Sequence, residues 1–420
     1  MDAIQGVGGA RMNRWRFYWL RLTRELWVRA TAYAALGVGA ALLASIGEGL
    51  VPEDMAERLG GESVEEILTI LASSLLAVAT FSVGAMVSAY TAVSQAATPR
   101  VAALVTSDGQ TQKSLATFVG AFLYSIVAVT AINASYYGAG GRAIVFLVSL
   151  GVVALVAFRL LAWINRLSSL ARVGHMIDLV EERAAEALKA RRRRPLFGGG
   201  GGRLTQGRLI SSEATGYVQN VDPDHLQKSA AERDCRVQIL APPGTFVRRG
   251  EPLARISLAD CGDQARDDFR SAFAVGGSRS FDQDPRFGLI VLGEIAAKAL
   301  SPGVNDPGTA IQVIGSGVRL LDLWLEPMEA AGDRPCDCDR VLAAPLDEAD
   351  LFDDVFGPIA RYGAGDVPVT LRLLKTLRTF AAVPGPTREP ARRMARDLLA
   401  RAKVSMPIAA DVSRVRAIGL

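Results

Sequence analysis

Long apolar stretches are confined to the first 165 residues, and the rest of the chain has the mixed polar pattern of a water-soluble protein. Roughly 20 mostly apolar residues in a helix cross a bilayer, because a helix rises about 1.5 Å per residue. The pattern therefore predicts an integral membrane α-helical region of four transmembrane helices at residues 30–165, followed by a large soluble domain. The four runs are residues 30–47, 67–99, 114–141 and 143–163, the last interrupted by Arg159.

The distribution of arginine predicts the orientation of these helices. The leader at residues 1–29 carries six arginines, whereas residues 48–66 include seven acidic residues and only Arg58. Arg and Lys are enriched on the cytoplasmic flanks of membrane helices, so we expect the leader in the cytoplasm. Four crossings return the soluble part to the same side. The leader is long and aromatic, unlike a cleaved signal peptide, so we expect the first helix to stay as an anchor.

The soluble part divides by pattern into three segments. Residues 166–202 continue as a helical stalk that ends in four arginines at 191–194, Pro195 and a flexible linker of five glycines. Residues 203–270 have the short apolar segments of β-strands, and residues 271–420 return to a helical period. The cytoplasmic domain is therefore predicted to be α+β, with strands first and helices after.

The β-rich segment contains a turn pattern that resembles half of a barrel-sandwich hybrid, the fold of biotinyl and lipoyl domains. Within it, Gly244 and Gly250 permit turns, while Val247 and Leu253 point into a small core. No lysine occupies the hairpin where biotin or lipoate would be attached, so we predict a structural module without a cofactor. We expect strands near residues 209–212, 216–219, 235–240 and 252–256, with a short helix at 223–234.

Helices are predicted beyond residue 281, and two acid–proline pairs mark two of their starts. Asp284-Pro285 and Asp306-Pro307 each place a capping carboxylate before a proline at the first helical position. Further helices are expected at residues 348–362, 367–381 and 388–403.

Net charge, histidine count and cysteine positions limit the partners and metal sites that we expect. The formal charge of +4 is modest, and basic residues gather at the predicted membrane borders, so we expect contact with the lipid bilayer and none with nucleic acid. Only His175 and His225 are present, which argues against a histidine-based zinc centre, and we expect no metal site. The four cysteines fall in the predicted cytoplasmic part, where thiols stay reduced, and Cys336 and Cys338 are the one close pair.

A ten-residue string between two predicted helices is the most distinctive feature of the soluble part. It reads Ser-Pro-Gly-Val-Asn-Asp-Pro-Gly-Thr-Ala from Ser301 to Ala310. Shorter strings are Thr98-Pro99-Arg100, Phe118-Val119-Gly120, Phe122-Leu123-Tyr124 and Gly216-Tyr217-Val218-Gln219. From residue 16 to about residue 325, the chain resembles the bacterial family of predicted membrane proteins with domain of unknown function 2254 (DUF2254). The resemblance implies this architecture and a bacterial inner membrane, and it supplies no activity because the family is uncharacterised.

The second apolar run carries small and hydroxyl side chains on one face. At 100° per residue, eight such residues fall within about one third of the helix circumference. In an oligomer this face would line a water-filled pathway, with hydroxyls replacing part of an ion's hydration shell. The alternative is close helix packing, in which Ser and Thr bond to their own helix. The pore-lining candidates are Thr69, Ser73, Thr80, Gly84, Ser88, Thr91 and Gln95, followed by Thr98.

The loop at residues 301–309 is the second candidate site. Backbone amides at the start of the following helix form a potential anion site. Alternatively, the side-chain oxygens of Asn305 and Asp306 would hold a cation. The alternative is a rigid corner whose polar residues only cap the backbone. No histidine lies near Ser301 in sequence, so we do not expect catalysis. The ligand or ion candidates are Ser301, Asn305, Asp306 and Thr309.

Two further charged clusters have simpler interpretations. The arginines at 191–194 are expected to form a solvated linker that touches lipid headgroups. The spacing of Asp260, Asp263, Asp267 and Asp268 matches no calcium loop, so we expect a solvated helix face there.

These features lead to two functional hypotheses. The first is a homo-oligomeric inner-membrane channel for ions or a small ligand, whose second helices line the pathway and whose cytoplasmic domain gates it or senses. The lack of an acidic residue within the apolar runs argues against proton-coupled transport. The second is a membrane-anchored sensor or scaffold, whose cytoplasmic domain binds a ligand or protein without transport. A membrane-bound enzyme is the third and least supported class.

Overall fold

The computed structural model describes residues 26–45, 63–106, 109–170, 172–326 and 337–418. They form two compact units, a membrane unit (Trp19–His175) and a C-terminal unit that begins at Met176. The chain is mostly helical, and every described strand lies in the C-terminal unit. Most of the basic leader, most of the acidic loop and Cys336 lie outside the described residues.

Three helices of the membrane unit are long and apolar enough to cross a bilayer. They contain the segments Val64–Gln95, Thr111–Asn133 and Ala139–Asn165, whereas the apolar part of the first helix, Val28–Leu43, is shorter. The last of the three long helices continues through Arg159, as its sequence predicted. The helices are α1 (Leu26–Leu43), α2 (Ser63–Ala96), α3 (Pro99–Thr106), α4 (Gly109–Asn133) and α5 (Ala139–Leu170), with α6 (Val173–Arg193) beginning at the end of the unit.

Helix α4 is the centre of the membrane unit, because α1, α2 and α5 all pack against it. A Cβ atom on Gly37 would lie 2.6 Å from the carbonyl oxygen of Gly120, and one on Gly120 would lie 2.8 Å from that of Tyr33. Small residues let membrane helices approach this closely. Tyr124, which is buried, then joins α4 to α5, since its hydroxyl donates to the carbonyl oxygen of Val145 at 3.0 Å.

The C-terminal unit combines short strands with helices that come before, between and after them. Its strands are β1 (Arg208–Ser211), β2 (Gly216–Val221), β3 (Val237–Ile239), β4 (Phe246–Val247), β5 (Pro252–Ile256), β6 (Phe273–Gly276) and β7 (Val341–Leu342). Its helices after α6 are α7 (Pro223–Glu232), α8 (Asp263–Ser271), α9 (Phe287–Ala299), α10 (Pro307–Leu325), α11 (Glu348–Tyr362), α12 (Val367–Ala382), α13 (Arg388–Ser405) and α14 (Ala409–Arg416).

The strands form two small sheets around one hydrophobic core. The four-stranded sheet has the order β1-β5-β3-β7, in which only β3 and β7 are parallel. The three-stranded sheet has the order β4-β2-β6 and is antiparallel. Both sheets, α7 and α8 contribute side chains to the core, among them Ile210, Val218, Leu226, Val237 and Phe269.

The predicted β pattern is confirmed at its local features. The four expected strands correspond to β1, β2, β3 and β5, and the short helix corresponds to α7. Gly244 and Gly250 have φ of +93° and +91°, the conformation that their turns required of glycine. Val247 and Leu253 are buried in the core as expected.

The expected order of strands before helices is wrong. Strand β6 follows α8, and β7 comes after α10, yet β7 pairs with β3 through Val237 and Val341. A two-residue strand has no periodicity of its own, so its place in the sheet depends on long-range pairing that local pattern does not reveal.

The predicted flexible glycine linker is also wrong. The amide of Gly200 donates to the carbonyl of Val341 at 2.9 Å, and the amide of Ala343 donates to the carbonyl of Gly200 at 3.1 Å. A Cβ atom on Gly199 would lie 2.3 Å from the carbonyl oxygen of Val341. The glycines therefore allow two backbone segments to approach closely, so they fix this segment to the sheet.

The helical starts after residue 281 are confirmed with one exception. Helices α10 to α13 begin where expected, and Asp306 caps α10. Helix α9 instead begins at Phe287, without a side-chain cap. Asp284 is buried and pairs with Arg279, whose Nε lies 2.7 Å from its Oδ2. A charged guanidinium binds a buried carboxylate more strongly than neutral backbone amides do. Asp284 therefore pairs with Arg279 and does not cap a helix.

Candidate functional site

The candidate pore-lining residues lie on the side of α2 that faces away from the rest of the membrane unit. Thr69, Ser73, Thr80, Gly84, Ser88, Thr91 and Gln95 are all exposed. The opposite side packs inward through Leu68, Leu71 and Leu75, which are buried. We call this outward face the hydroxyl stripe. Thr98 departs from it, because it is buried beyond the end of the helix.

The hydroxyls of the stripe bond to their own helix. Each donates its proton to a backbone carbonyl in the preceding turn: Thr80 donates to the carbonyl of Leu76 at 2.9 Å, and Ser88 donates to that of Gly84 at 3.0 Å. Thr69, Ser73 and Thr91 do the same. Such bonds satisfy the hydroxyl protons in an apolar surrounding and leave oxygen lone pairs available. The stripe therefore tolerates either a neighbouring helix or water.

The outward faces of α2 and α5 differ in chemistry. The exposed side of α5 carries large aliphatic and aromatic residues, the usual lipid-facing composition. The exposed side of α2 also carries large apolar residues, namely Ile70, Leu76, Phe81, Val83, Val87 and Tyr90, but unlike that of α5 it includes the small and hydroxyl residues of the stripe. The exposed apolar residues of α5 are Leu147, Leu150, Val153, Leu155, Phe158, Leu161 and Ile164.

The second candidate, residues 301–309, is a tightly bonded corner between α9 and α10. The hydroxyl of Ser301 donates to the carbonyl of Lys298 at 2.7 Å, so it is turned back onto its own helix. Asn305 adopts φ of +50°, and its amide donates to the carbonyl of Ser301 at 2.9 Å. The amide of Asp306 donates to the carbonyl of Ala299 at 2.8 Å. These bonds place Asn305 and Asp306 at the surface of the turn.

Asp306 occupies the amides that would otherwise bind an anion. Its Oδ1 accepts from the Thr309 amide at 3.1 Å, and its Oδ2 accepts from the Thr309 hydroxyl at 2.6 Å. The Thr309 side chain, then the backbone amides of Thr309 and Gly308, hold the pKa of Asp306 below its usual value. The carboxylate thus serves as an internal anion for the helix N-terminus, the arrangement of the rigid-corner alternative.

The four arginines at 191–194 are not a solvated linker, contrary to expectation. The Arg191 guanidinium lies 3.9 Å from the centre of the Phe197 ring, and burial lowers its pKa to about 10. Arg192 donates to the carbonyl of Glu326 at 2.7 Å. Of the four, only Arg193 is exposed, and the others are half-buried. Leu196 and Phe197 both have positive φ, a strained backbone held by these contacts.

Arg194 makes the most extensive contacts of the run. Its two terminal nitrogens donate to both carboxylate oxygens of Asp224, at 2.5 and 3.3 Å. The same side chain contacts the buried Cys338 sulfur at 3.2 Å. Burial raises the pKa of the Cys338 thiol to about 11, so it stays neutral at physiological pH. Arg194 thereby ties the end of α6 to α7 and to the segment before β7.

Two clusters that the sequence did not single out contain reactive residue types. Ser271 Oγ and Asp268 Oδ1 both lie near the same nitrogen of His225, Nε2, at 3.0 and 3.1 Å. A hydrolytic triad needs serine and carboxylate on opposite ring nitrogens, so this geometry is structural. Asp268 also binds Ser229 and Arg233. The four aspartates were expected to lie on a solvated helix face. That expectation is wrong for Asp268, because this residue docks α8 onto α7.

The second cluster is an open acidic groove of about 600 Å³ along α6. Arg319 of α10 crosses it and forms two hydrogen bonds with the Glu181 carboxylate, both at 2.6 Å. Burial would raise the pKa of Glu181, but the bonds from Arg319 and Ser316 outweigh it and lower that pKa. Within the described residues, no three His, Cys, Asp or Glu side chains are positioned to hold a metal ion. The groove is lined by Asp178, Glu181, Glu182, Ala185, Glu186, Lys189 and Arg319.

Comparison with known proteins decides the family. The model of the DUF2254 family, described as predicted membrane proteins, matches residues 23–379. The chain belongs to this family. The resemblance that the short strings indicated is thus confirmed, and the protein is a predicted membrane protein whose family description names no activity.

The chain is also similar to three curated proteins that are named as uncharacterized proteins. One from Mycobacterium bovis and two from strains of Mycobacterium tuberculosis are each 35% identical over 105 residues. That stretch is 24% of this chain, and it spans only 20% of the length of each relative. No solved structure matches the chain.

Proposed function

We propose that this DUF2254 protein is a homo-oligomeric channel of the bacterial inner membrane. In this proposal the α2 helices of several copies face a common axis, and their hydroxyl stripes line the permeation pathway. The C-terminal unit lies in the cytoplasm, where it gates the pathway or senses a ligand.

The contrast between α2 and α5 carries the proposal. A side of a membrane helix that faces lipid is best covered by large apolar residues, as on α5. Seven small or polar residues at outward positions of α2 instead suit a surface that meets another copy or water. No charged residue lies between Glu66 and Arg100, so the pathway would conduct passively, without a proton-carrying carboxylate.

The proposal includes four crossings and a barrel-sandwich-like β module. Helix α1 has 18 residues, and at 1.5 Å per residue its length of about 27 Å approaches the thickness of the hydrocarbon core. Its close packing on α4 at Gly37 supports a place within the bilayer. The two sheets around one core, with glycine turns at Gly244 and Gly250, support the barrel-sandwich likeness.

A matched pair of glycine substitutions tests the channel. A Cβ atom at Gly84 or at Gly151 meets nothing within 4 Å in the single chain, so both positions have open space for a larger side chain. Gly84 lies in the stripe, whereas Gly151 lies among the exposed residues of α5. We expect Gly84→Leu to reduce ion flux into proteoliposomes at least tenfold, and Gly151→Leu to leave flux unchanged. Thr80→Leu should act like Gly84→Leu.

The outcomes separate the channel from its rival. Equal flux in all variants, or no flux above that of empty vesicles, would overturn the channel. The bonding of the stripe hydroxyls to their own helix suits the second candidate equally well, a membrane-anchored scaffold whose α2 helices pack together without a pathway. For the scaffold, Gly84→Leu would dissociate the oligomer in cross-linking and mass photometry, while no variant and no wild-type protein would conduct.

A further inference from the structure

The last three helices of the chain carry a large share of its positive charge. Residues 367–418 contain eleven Arg or Lys and three Asp or Glu, a formal net charge of +8. The whole chain is +4, so the rest of it is net negative by four charges. Helices α13 and α14 also follow residue 379, the last residue that the family model matches. Eight of the eleven basic residues therefore lie beyond the matched range, and Arg372, Lys375 and Arg378 lie within it.

Eight of these cations are exposed and have no acidic partner within the described residues, and two of the eight, Arg378 and Arg396, donate to backbone carbonyls. The acids nearby are largely engaged, since Glu389 pairs with Arg392 and Asp353 of α11 pairs with Arg393. Asp397 and Asp411 are the other acids on these helices. The other six exposed cations are Arg372, Lys375, Arg401, Lys403, Arg414 and Arg416.

Packing brings these helices together on one side of the unit. Helix α14 packs against both α12 and α13, and Val415 is its buried residue. Arg378, which follows Arg372 and Lys375 along the exposed side of α12, donates to the carbonyl of Ile418 at 2.9 Å. The end of α14 therefore lies beside the basic row of α12. We call the exposed sides of α12 and α14, with the end of α13, the C-terminal basic surface.

Aliphatic side chains are exposed among these charges. Val404 is 87% exposed and Ile408 is 58% exposed, and both follow Lys403 closely in the chain. The one aromatic residue of the three helices, Phe380, is buried. Proteins that bind single-stranded nucleic acid combine cations with exposed aromatic rings for base stacking. Cations combined with exposed aliphatic residues are instead typical of surfaces that bind the headgroup region of a bilayer.

We propose that the C-terminal basic surface binds the anionic phospholipid surface of a bilayer. Arg and Lys attract anionic headgroups, while Val404 and Ile408 enter the boundary between headgroups and acyl chains. The chain is anchored in a membrane, so a bilayer surface is always present at high local concentration. This binding is independent of whether the protein conducts. It gives the C-terminal unit a response to the anionic lipid content of the membrane.

Binding to a second membrane tests the proposal with the whole protein. The full chain is held in phosphatidylcholine nanodiscs and titrated with vesicles that contain phosphatidylglycerol, an anionic lipid that attracts polybasic segments. We expect salt-sensitive binding to these vesicles and none to pure phosphatidylcholine vesicles. The variant Arg372→Gln/Lys375→Gln/Arg414→Gln/Arg416→Gln should bind roughly a hundredfold more weakly or worse, since each cation near an anionic surface contributes about fivefold.

A control variant keeps the same change in net charge. Arg203, Arg208, Arg248 and Arg249 are exposed on the β-rich part of the same unit. Replacing these four with Gln should leave vesicle binding within about twofold of wild type. Val404→Gln/Ile408→Gln should weaken binding several-fold, because the aliphatic contribution is lost while the charge is kept. Thermal unfolding of each variant confirms that the fold is retained.

Three results would overturn the proposal. The first is an equal loss of vesicle binding in the control variant and in the variant of the C-terminal basic surface, which would indicate an effect of net charge alone. The second is unchanged vesicle binding in the variant of the C-terminal basic surface. The third is tighter binding of the protein to RNA than to the anionic vesicles at the same salt concentration.

Discussion

At the scale of single residues, adjacent arginines of the same run have opposite roles. Arg194 holds both carboxylate oxygens of Asp224 and contacts Cys338, whereas Arg193 is exposed. The string of four arginines suggests one solvated segment, yet α6 ends at Arg193 and Arg194 follows it with a non-helical backbone. Neighbours in sequence therefore reach different surroundings.

We expect Arg194→Gln to destabilise the C-terminal unit by about 1 kcal/mol. The pair with Asp224 is half-buried, so solvent screens part of its energy, but the substitution leaves that carboxylate without its bidentate partner. Arg193→Gln is the matched control and should change the free energy of unfolding by less than about 0.5 kcal/mol. Urea unfolding followed by circular dichroism measures both. Equal effects of the two substitutions would contradict the role assigned to Arg194.

At the scale of elements, one glycine contact sets how closely α1 approaches α4. Gly120→Ala should destabilise the membrane unit by about 1–3 kcal/mol, because the new methyl group meets the backbone of Tyr33, which cannot move aside as a side chain does. Gly39→Ala adds the same methyl to α1 where nothing lies within 4 Å, and alanine favours a helix. We expect unchanged or slightly raised stability for it, measured by thermal unfolding in detergent.

The docking of α8 on α7 depends on the ionised Asp268 carboxylate. Burial alone would raise the pKa of Asp268, but the Ser229 hydrogen bond and the charges of His225 and Arg233 outweigh it and hold that pKa below 3.8. A group whose pKa is lower in the folded state stabilises the fold above its unfolded pKa of about 3.9, and this contribution disappears as pH falls through the folded pKa. Stability from Asp268 is therefore present at neutral pH and lost in acid below about pH 4.

The variant Asp268→Asn tests this pH dependence. It should be less stable than wild type by about 1 kcal/mol at pH 7, and the two should converge as the pH falls below 3.8, when wild type loses the same contribution. Asp267→Asn changes the adjacent carboxylate, which makes an exposed pair with Arg270, and should have little effect at either pH. Urea unfolding at pH 7 and pH 3 provides the comparison. A constant difference between Asp268→Asn and wild type would argue against ionisation as the cause.

At the scale of the whole molecule, the number of crossings decides which side of the membrane the C-terminal unit occupies. The three long helices account for three crossings, and α1, whose apolar part is shorter, would be the fourth. Four crossings leave both termini on the same side of the membrane, whereas three place them on opposite sides. The parity of the count is therefore a direct test of whether α1 spans.

Reporter fusions measure that parity. Alkaline phosphatase, which is active only outside the cytoplasm, should be active when inserted after Asp54 and inactive when fused after Leu420. Green fluorescent protein should give the reverse pattern. Phosphatase activity at the C-terminus together with a cytoplasmic N-terminus would show that α1 does not cross.

The sequence by itself determined the local features of this protein. Apolar run length predicted the long helices, glycine positions predicted the turns at Gly244 and Gly250, and Asp306 before Pro307 predicted a helix start. Each of these features depends on residues that are neighbours in the chain. The turns and the helix start follow from local backbone preferences, and the helix length follows from the thickness of the bilayer. The family also followed from short strings of residues.

Only the tertiary structure decided how those elements use their polar groups. It turned the hydroxyl stripe away from the rest of the membrane unit, paired Gly200 with the β7 segment, and gave Asp284 to Arg279 instead of to a helix start. It also engaged Arg194 internally while leaving Lys375 and Arg414 exposed on the C-terminal basic surface. The reason is that charge pairing and close backbone contact join residues far apart in the chain, and no local period records which partners will meet.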